Sequence, residues 1–251
     1  MEENKVKIVI LAGGKGKRMQ SDLPKVLFPI KGKPMIKHLL ESIEKSGIDP
    51  RPVVVVGYKK ELVMDELGEK YNYAIQEEQL GTGHAVLSAK EKVGSEANHV
   101  LVLYGDNPFM TAETMKKLVE EQLKSEAKIT MATVELPDFQ DWRGFFYTNF
   151  SRIVRDENGE IVRSVEFKDA SEEEKKIKEV NPCYFCIEAK WLWQSLEKIE
   201  NNNSQKEYYL TDLIGVAIKE GEKINSIAIE PKEALAANSQ EELELLEKFA
   251  I

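Results

Sequence analysis

Lys15, Lys17, Arg18 and Lys25 fall within eleven residues and interleave with Gly13, Gly14 and Gly16. Glycine carries no side chain, so the backbone N–H groups of such a loop can close around an anion, and the basic side chains supply the countercharge. The chemistry that suits this loop is the binding of a phosphate chain. Further on, Leu103-Tyr104-Gly105-Asp106 sets a carboxylate just beyond an apolar run. A hard oxygen there suits Mg²⁺ held against triphosphate oxygens. Gln76 brings a carboxamide, donor and acceptor together, which complements the imide edge of uracil. In Leu80-Gly81-Thr82-Gly83-His84, Gly81 lets backbone approach a flat base, and Thr82 is placed to hydrogen-bond that base or to cap a helix. Two common glycine loops do not fit. No window reads G-x-x-x-x-G-K-[ST], and Met19 stands where a dinucleotide fingerprint after Gly14-Lys15-Gly16 needs its third glycine.

The elements that position these residues follow from apolar periodicity. Val6 to Leu11 is a strand leading into the glycine loop, and Val26 to Ile30 is a short extended piece before a turn at Lys31–Pro34. Met35, Ile36, Leu39, Leu40 and Ile43 recur at helical spacing up to Ser46-Gly47, with His38 a half-exposed polar position. Val53 to Val56 and Val100 to Tyr104 are continuous apolar runs, as in strands buried on both faces of a parallel sheet. Helices are expected over 60–67 and 83–92, and a strand over 73–76. This alternation predicts a βαβ-built α/β sheet. From Ile129 the pattern becomes mixed and partly antiparallel. Strand-like runs cover 129–136, 151–154, 161–167 and 180–187, Pro137 to Asn149 is aromatic and irregular, and Glu172 to Lys178 reads as a solvated helix. Helices over 191–199, 209–219 and 240–249 and a strand over 224–229 complete the chain.

Composition sets outer bounds. At 251 residues the chain is long enough for one large α/β domain or two small ones, and 42% hydrophobic and 31% charged side chains are ordinary for a soluble globular protein. A net charge of -9 disfavours a nucleic-acid-binding surface, and no apolar run is long enough to predict a membrane span. The acidic N-terminus does not read as a signal peptide. Cys183 and Cys186 form a lone C-x-x-C in an extended segment, which is expected to hold reduced, structural thiols.

The composite Leu11-Ala12-Gly13-Gly14-x-Gly16-x-Arg18-Met19 with Pro24-Lys25 resembles the signature of the sugar-phosphate nucleotidylyltransferases, and the resemblance extends from Val6 to about Phe249. Gln76-x-x-Gln79-Leu80-Gly81-Thr82-Gly83-His84-Ala85 is similar to the uridine-binding segment of the bacterial N-acetylglucosamine-1-phosphate uridylyltransferases. The resemblance implies a Rossmann-like fold with a mostly parallel central sheet and a smaller mixed β section on the sugar side. It implies that Arg18 and Lys25 are catalytic, and that Leu11, Ala12, Gly13, Gly14, Lys25, Gln76, Gly81 and Thr82 bind nucleotide. Tyr104, Gly105, Ser151, Glu166 and Asn181 would bind the sugar, with Mg²⁺ on Asp106 and Asn238. Departures cluster on the sugar side. Phe150-Ser151-Arg152-Ile153 replaces Tyr-Gly-Arg-Ile, Asn181-Pro182-Cys183 replaces Asn-Thr-Gly, and Ala236 and Gln240 flank Asn238 where Gly and Arg are usual.

The reaction so implied joins UTP to N-acetylglucosamine 1-phosphate, giving UDP-N-acetylglucosamine and pyrophosphate. UTP with another sugar 1-phosphate, or a nucleotide-sugar-binding protein without catalysis, are the alternatives. A single domain over 1–251 is expected, with a nucleotide part (1–128), a sugar part (129–230) and a C-terminal helical segment (231–251). No hexapeptide repeat occurs, so no left-handed β-helix and no acetyl-CoA binding are expected. The expected setting is the cytoplasm, as a monomer or a weak dimer through the last helix, with small-molecule substrates and neither nucleic acid nor membrane as partner.

Overall fold

Residues 5–16, 19, 21–203 and 205–250 are described by the structure, a computed structural model. In chain order, β1 (Val6–Leu11) precedes a hairpin of β2 (Pro29–Ile30) and β3 (Lys33–Pro34), α1 (Met35–Ser46), β4 (Val53–Val56), α2 (Lys60–Leu67) and β5 (Asn72–Ile75). There follow α3 (Thr82–Ser88), α4 (Lys90–Val93), β6 (His99–Tyr104), α5 (Ala112–Leu123), β7 (Ile129–Glu135), α6 (Phe145–Asn149), β8 (Ser151–Arg155) and β9 (Ile161–Val165). The chain continues through β10 (Glu179–Asn181), β11 (Phe185–Glu188), α7 (Ala189–Leu196), α8 (Asp212–Glu220), β12 (Ile224–Ala228) and α9 (Gln240–Phe249).

The main sheet runs β5-β4-β1-β6-β11-β7, with β12 on the other edge of β7. Only β11 opposes the direction of the others, so this part is mostly parallel, as expected. Alternate residues of its strands enter opposite cores. Ile8, Ile10, Val54, Val56, Leu101 and Leu103 pack with α1 and α5 on one face. Val9, Val53, Val55, Val100 and Val102 pack with α3, α7 and α8 on the other. Burial on both faces is why these strands carry no polar alternation.

A second, antiparallel group, β10-β8-β9, hangs from the end of β7. The fork between the two groups corrects the expectation of one strand over 180–187. Pro182 has no N–H to give a ladder, and Cys183 adopts φ +65°. The chain therefore leaves β7 at Val180 and rejoins it as β11 at Phe185. Cys183 and Cys186 are both free. Burial pushes both thiols up, with Glu166 and Asp106 adding to the effect on Cys183, so neither provides a thiolate nucleophile at neutral pH.

Four other expectations change. Residues 25–27 form a 3-10 turn instead of an extended piece. The helix over 83–92 is divided at Ala89 into α3 and α4. Only Glu174–Lys176, a single 3-10 turn, is helical in the acidic run at 172–178. Helix α5, which periodicity did not pick out, buries Met115, Leu118, Val119 and Gln122. Its N-terminus is closed by Thr111 and by the buried Glu233, whose carboxylate accepts from Thr111 N at 2.9 Å, Thr111 Oγ1 at 2.7 Å and Thr114 Oγ1 at 3.0 Å.

Candidate active site

The C-terminal ends of the parallel strands β1, β4, β5 and β6 lie along one edge of the sheet, where open α/β sheets bind ligands. Backbone bonds lock the departing loops together. Ala12 N donates to Val55 O at 2.8 Å, Gln76 N to Val56 O at 2.8 Å, and Gly105 N to Leu11 O at 2.9 Å. Above this edge opens a cleft of about 530 Å³. Its walls include Leu11, Gly13, Gly14, Lys25, Gln76, Gly81, Thr82, Tyr104, Asp106 and Asn238, so residues spread over most of the sequence meet around one cavity. Lys15, Gly16, Val26, Gln79, Ala85, Gln205 and Glu207 also line it.

Five expected contacts are not on these walls. Ala12 and Gly105 are buried beneath the loop, and the Gly105 N–H is already committed to Leu11 O. Ser151 and Asn181 are buried in the antiparallel group. Ser151 Oγ lies 3.0 Å from Ser164 Oγ, and Asn181 Oδ1 accepts from Cys183 N at 2.8 Å. Asn181 thus fixes the fork turn. Glu166 is exposed outside the cleft proper. Arg18, the other catalytic residue expected, lies outside the described residues.

One end of the cleft is organised by Lys25. Its ammonium group donates to Asp106 Oδ2 and, at 2.5 Å, to Asn238 Oδ1. Gly16, at φ +64°, lets the loop fold onto Lys25, because a Cβ there would stand 3.0 Å from Lys25 Cβ. Asn238 arrives from the far end of the chain. Ser239 caps α9, Glu242 accepts from Asn238 N at 2.5 Å, and Lys31 N holds Glu247 at 2.8 Å. The Trp142 and Phe249 rings, 5.0 Å apart, pin the other end of α9.

Asp106 and Asn238 thus point two hard oxygens at one positive centre, an arrangement that fits a divalent cation. Among the described residues no three His, Cys, Asp or Glu side chains form a metal centre. An ion here would complete its shell with phosphate oxygens and water. An ammonium group has three N–H donors, and two of those on Lys25 are used, leaving one for a phosphate oxygen.

The other end of the cleft is shaped by Gln76. Its Nε2 group donates to Gly81 O at 3.0 Å and lies 3.2 Å from His84 Nδ1. Its Oε1 faces Gly13, 3.1 Å from where a Cβ would stand. The carboxamide therefore presents an acceptor and has its donors occupied. Gly81 and Thr82 have a structural duty beyond the one read from sequence. The Glu207–Leu210 segment crosses them, with Tyr208 N donating to Leu80 O at 2.7 Å, Gly83 N to Tyr208 O at 2.8 Å and Leu210 N to Thr82 Oγ1 at 2.9 Å. Gly81 has φ +113°, and a Cβ on it would lie 2.5 Å from Tyr208 O. The close approach that demands glycine is to this strap.

Tyr104 joins the two halves. Its hydroxyl hydrogen-bonds Thr82, and burial, with Cys183, Asp106 and Glu166 adding, holds the phenol well above its usual range. Tyr104 therefore stays neutral. Like Asp106, Glu166 stands close enough for its charge to act on Tyr104 and Cys183. Surrounding protein, and then Asp212 and Asp169, raise its carboxyl above the usual range. Asp212 is itself raised by burial. Sequence reading left Gln205 and Glu207 without a role. Glu207 opens Glu207-Tyr208-Tyr209-Leu210-Thr211-Asp212, but nothing local showed that this segment, or Gln205 before it, returns to the glycine loop.

The cleft can be set beside known proteins. A model of the MobA-like NTP transferase domain matches residues 8–209. The bifunctional protein GlmU of Desulfotalea psychrophila is 40% identical over 249 residues, covering 98% of this chain and 71% of that protein. The protein of the same name from Caldicellulosiruptor saccharolyticus is 43% identical over 242 residues, 96% of this chain and 50% of its own length. The chain spans about half the length of most such relatives. Among solved structures, a putative glucose-1-phosphate thymidylyltransferase from Bacillus anthracis superposes with a TM-score of 0.75 at 20% identity, covering 98% of this chain and 95% of that one. HddC from Yersinia pseudotuberculosis gives 0.70 at 22% identity, over 97% and 99% of the two chains. At those identities the structures speak for the fold. With the family model spanning most of the chain and the glycine loop, Lys25 and Asp106 around one cleft, the chain belongs to the MobA-like NTP transferase family and is a nucleotidyltransferase.

Proposed function

We propose that the chain is a uridylyltransferase that joins UTP to N-acetylglucosamine 1-phosphate, releasing pyrophosphate and forming UDP-N-acetylglucosamine. The observation that carries this reading is the convergence of Lys25, Asp106 and Asn238 at one end of a cleft whose other end is Gln76. Four GlmU relatives at 40–44% identity favour it over the alternatives, and the sugar and the base are inferred from them.

The base would lie between Gly13 and Gly81 with its N3–H donated to Gln76 Oε1. Cytosine carries an acceptor at N3, so two acceptors would face each other. The phosphates would run along Gly14–Gly16 to Lys25. We assign Mg²⁺ to Asp106 and Asn238, where it would neutralise charge on the phosphates. A sugar phosphate is already ionised near neutral pH, so its oxygen needs no general base. That oxygen attacks the α-phosphorus in line; the new P–O bond forms as the bond to the β-phosphate oxygen breaks, and pyrophosphate leaves with both electrons. Lys25, with Arg18 from the same loop in the role read from sequence, stabilises the charge that grows on the phosphates. Glu166 would accept from sugar hydroxyls.

The described residues contain no helix long and apolar enough to cross a membrane. We place the reaction in the cytoplasm, where UTP is made and thiols such as Cys183 and Cys186 stay reduced. Pyrophosphate release with UTP, Mg²⁺ and a panel of sugar 1-phosphates tests the proposal. N-acetylglucosamine 1-phosphate should be the best acceptor; a preference for glucose 1-phosphate would reassign the sugar, and silence with every acceptor would end the proposal.

A further inference from the structure

Resting on the reading of the cleft as a nucleoside triphosphate site, we propose that Glu207 binds the ribose hydroxyls and sets a preference for ribonucleotides over deoxyribonucleotides. Asp106 and Glu207 are the two carboxylates on the cleft walls. Asp106 is neutralised by Lys25. The Glu207 carboxylate forms no ion pair or hydrogen bond with any described residue, whereas its backbone is held firmly. Glu207 N donates to Asn203 Oδ1 at 3.2 Å, and Asn203 Nδ2 donates to Glu207 O at 2.5 Å. Next to it, Tyr208 is clamped to Leu80 and Gly83. Glu207 Cβ lies 3.0 Å from where a Cβ on Gly81 would stand, so the side chain starts beside the base end of the cleft.

An ionised carboxylate only accepts hydrogen bonds. Beside a phosphate chain it would repel, so its useful partner is a neutral donor. A uridine nucleotide offers few of these: N3–H, which Gln76 Oε1 already faces, and the 2′- and 3′-hydroxyls. The ribose lies between base and phosphates. Glu207 lines the cleft from the strap and starts beside Gly81, so its carboxylate is within reach of the sugar next to the base. Two adjacent hydroxyls match the two oxygens of one carboxylate, and charge-assisted bonds of this kind are among the stronger ones. The sugar acceptor also carries hydroxyls, but the carboxylate proposed for those is Glu166, which does not line the cleft.

Titration calorimetry of the full chain with UTP, 2′-deoxy-UTP and 3′-deoxy-UTP tests this without requiring turnover. The unaltered protein should bind UTP about tenfold tighter than either deoxy analogue, the loss expected for one hydrogen bond to a charged group. Glu207→Ala should bring the three affinities together, and Glu207→Gln, which keeps one acceptor, should fall between. Thermal melting of both variants checks that the strap stays folded. If Glu207→Ala keeps the same preference, or alters only the KM for sugar phosphate, the assignment is overturned while the uridylyltransferase reading stands. If UTP binds neither protein, both fall.

Discussion

Gly81→Ala tests the role of the strap. The new Cβ would lie 2.5 Å from Tyr208 O and 2.8 Å from Tyr208 N, both backbone atoms that no rotamer change can move aside. It would also sit at φ 113° and ψ 178°, a region essentially reserved for glycine, at a cost of about 1–3 kcal/mol. The cheapest escape is for the strap to lift away. That forfeits the bonds Tyr208 N to Leu80 O, Gly83 N to Tyr208 O and Leu210 N to Thr82 Oγ1. At roughly 0.5–1.5 kcal/mol each, they add about 1.5–4.5 kcal/mol. The total of about 2.5–7.5 kcal/mol is a large part of the stability of an ordinary domain. Gly94 supplies the internal control, because it occupies the same backbone region (φ 79°, ψ 167°) with nothing within 4 Å of its Cβ position. Gly94→Ala should therefore cost the backbone strain alone. Urea unfolding of both variants, with UTP affinity measured beside it, reads the difference. Gly81→Ala should be the less stable by at least about 1.5 kcal/mol and should bind UTP more weakly. Equal losses of stability would mean that the strap is not held by these contacts, and the reasoning fails.

Asp106→Ala should abolish pyrophosphate release while leaving the circular dichroism spectrum unchanged, since it removes one of two oxygens proposed to hold the metal and leaves Lys25 with Asn238 alone. Retained turnover would dismiss Asp106 as a metal ligand. UTP should be used faster than CTP by about 10–100-fold in kcat/KM, because cytosine N3 would leave Gln76 Oε1 unpaired at about 1–3 kcal/mol. Equal rates would take Gln76 out of base selection. Glu166 has a carboxyl pKa raised in the folded state, so the native protein binds its proton more tightly than the unfolded chain. Its contribution favours folding below the unfolded pKa and is lost as pH rises through the folded one. Glu166→Gln should accordingly gain stability relative to the parent in melts between pH 5 and 7, yet raise the KM for sugar phosphate; a variant that melts lower at pH 7 would contradict a carboxyl raised by its surroundings and by Asp212 and Asp169.

Much of this architecture is legible in the order of residues. Continuous runs such as Val53–Val56 and His99–Tyr104 can only be strands covered on both faces, and i, i+3, i+4 spacing defines α1 and α9 without reference to anything else. The glycine loop, Gln76 and Asp106 are equally visible, because each follows closely on a strand whose direction fixes where its end emerges, and Lys25 and Gly81 belong to the motifs that continue from them. These are local matters, set by periodicity and by the chemistry of neighbouring residues.

Tertiary structure decided what depends on segments far apart. Asn238 reaches Lys25 across 213 positions of sequence only because α9 docks on the β2–β3 hairpin and on Trp142. Gly81 reads locally as a base-facing turn, yet the atom that forbids a side chain there belongs to Tyr208. Ser151 and Asn181 are expected from sequence as sugar contacts; only the packing shows that both are buried in the antiparallel group, with Asn181 Oδ1 holding Cys183 N at the fork. The cap on α5 likewise comes from Glu233, more than a hundred residues downstream. Sequence periodicity reports which face of an element is buried; which atoms then meet across that face is set by the packing of the whole chain.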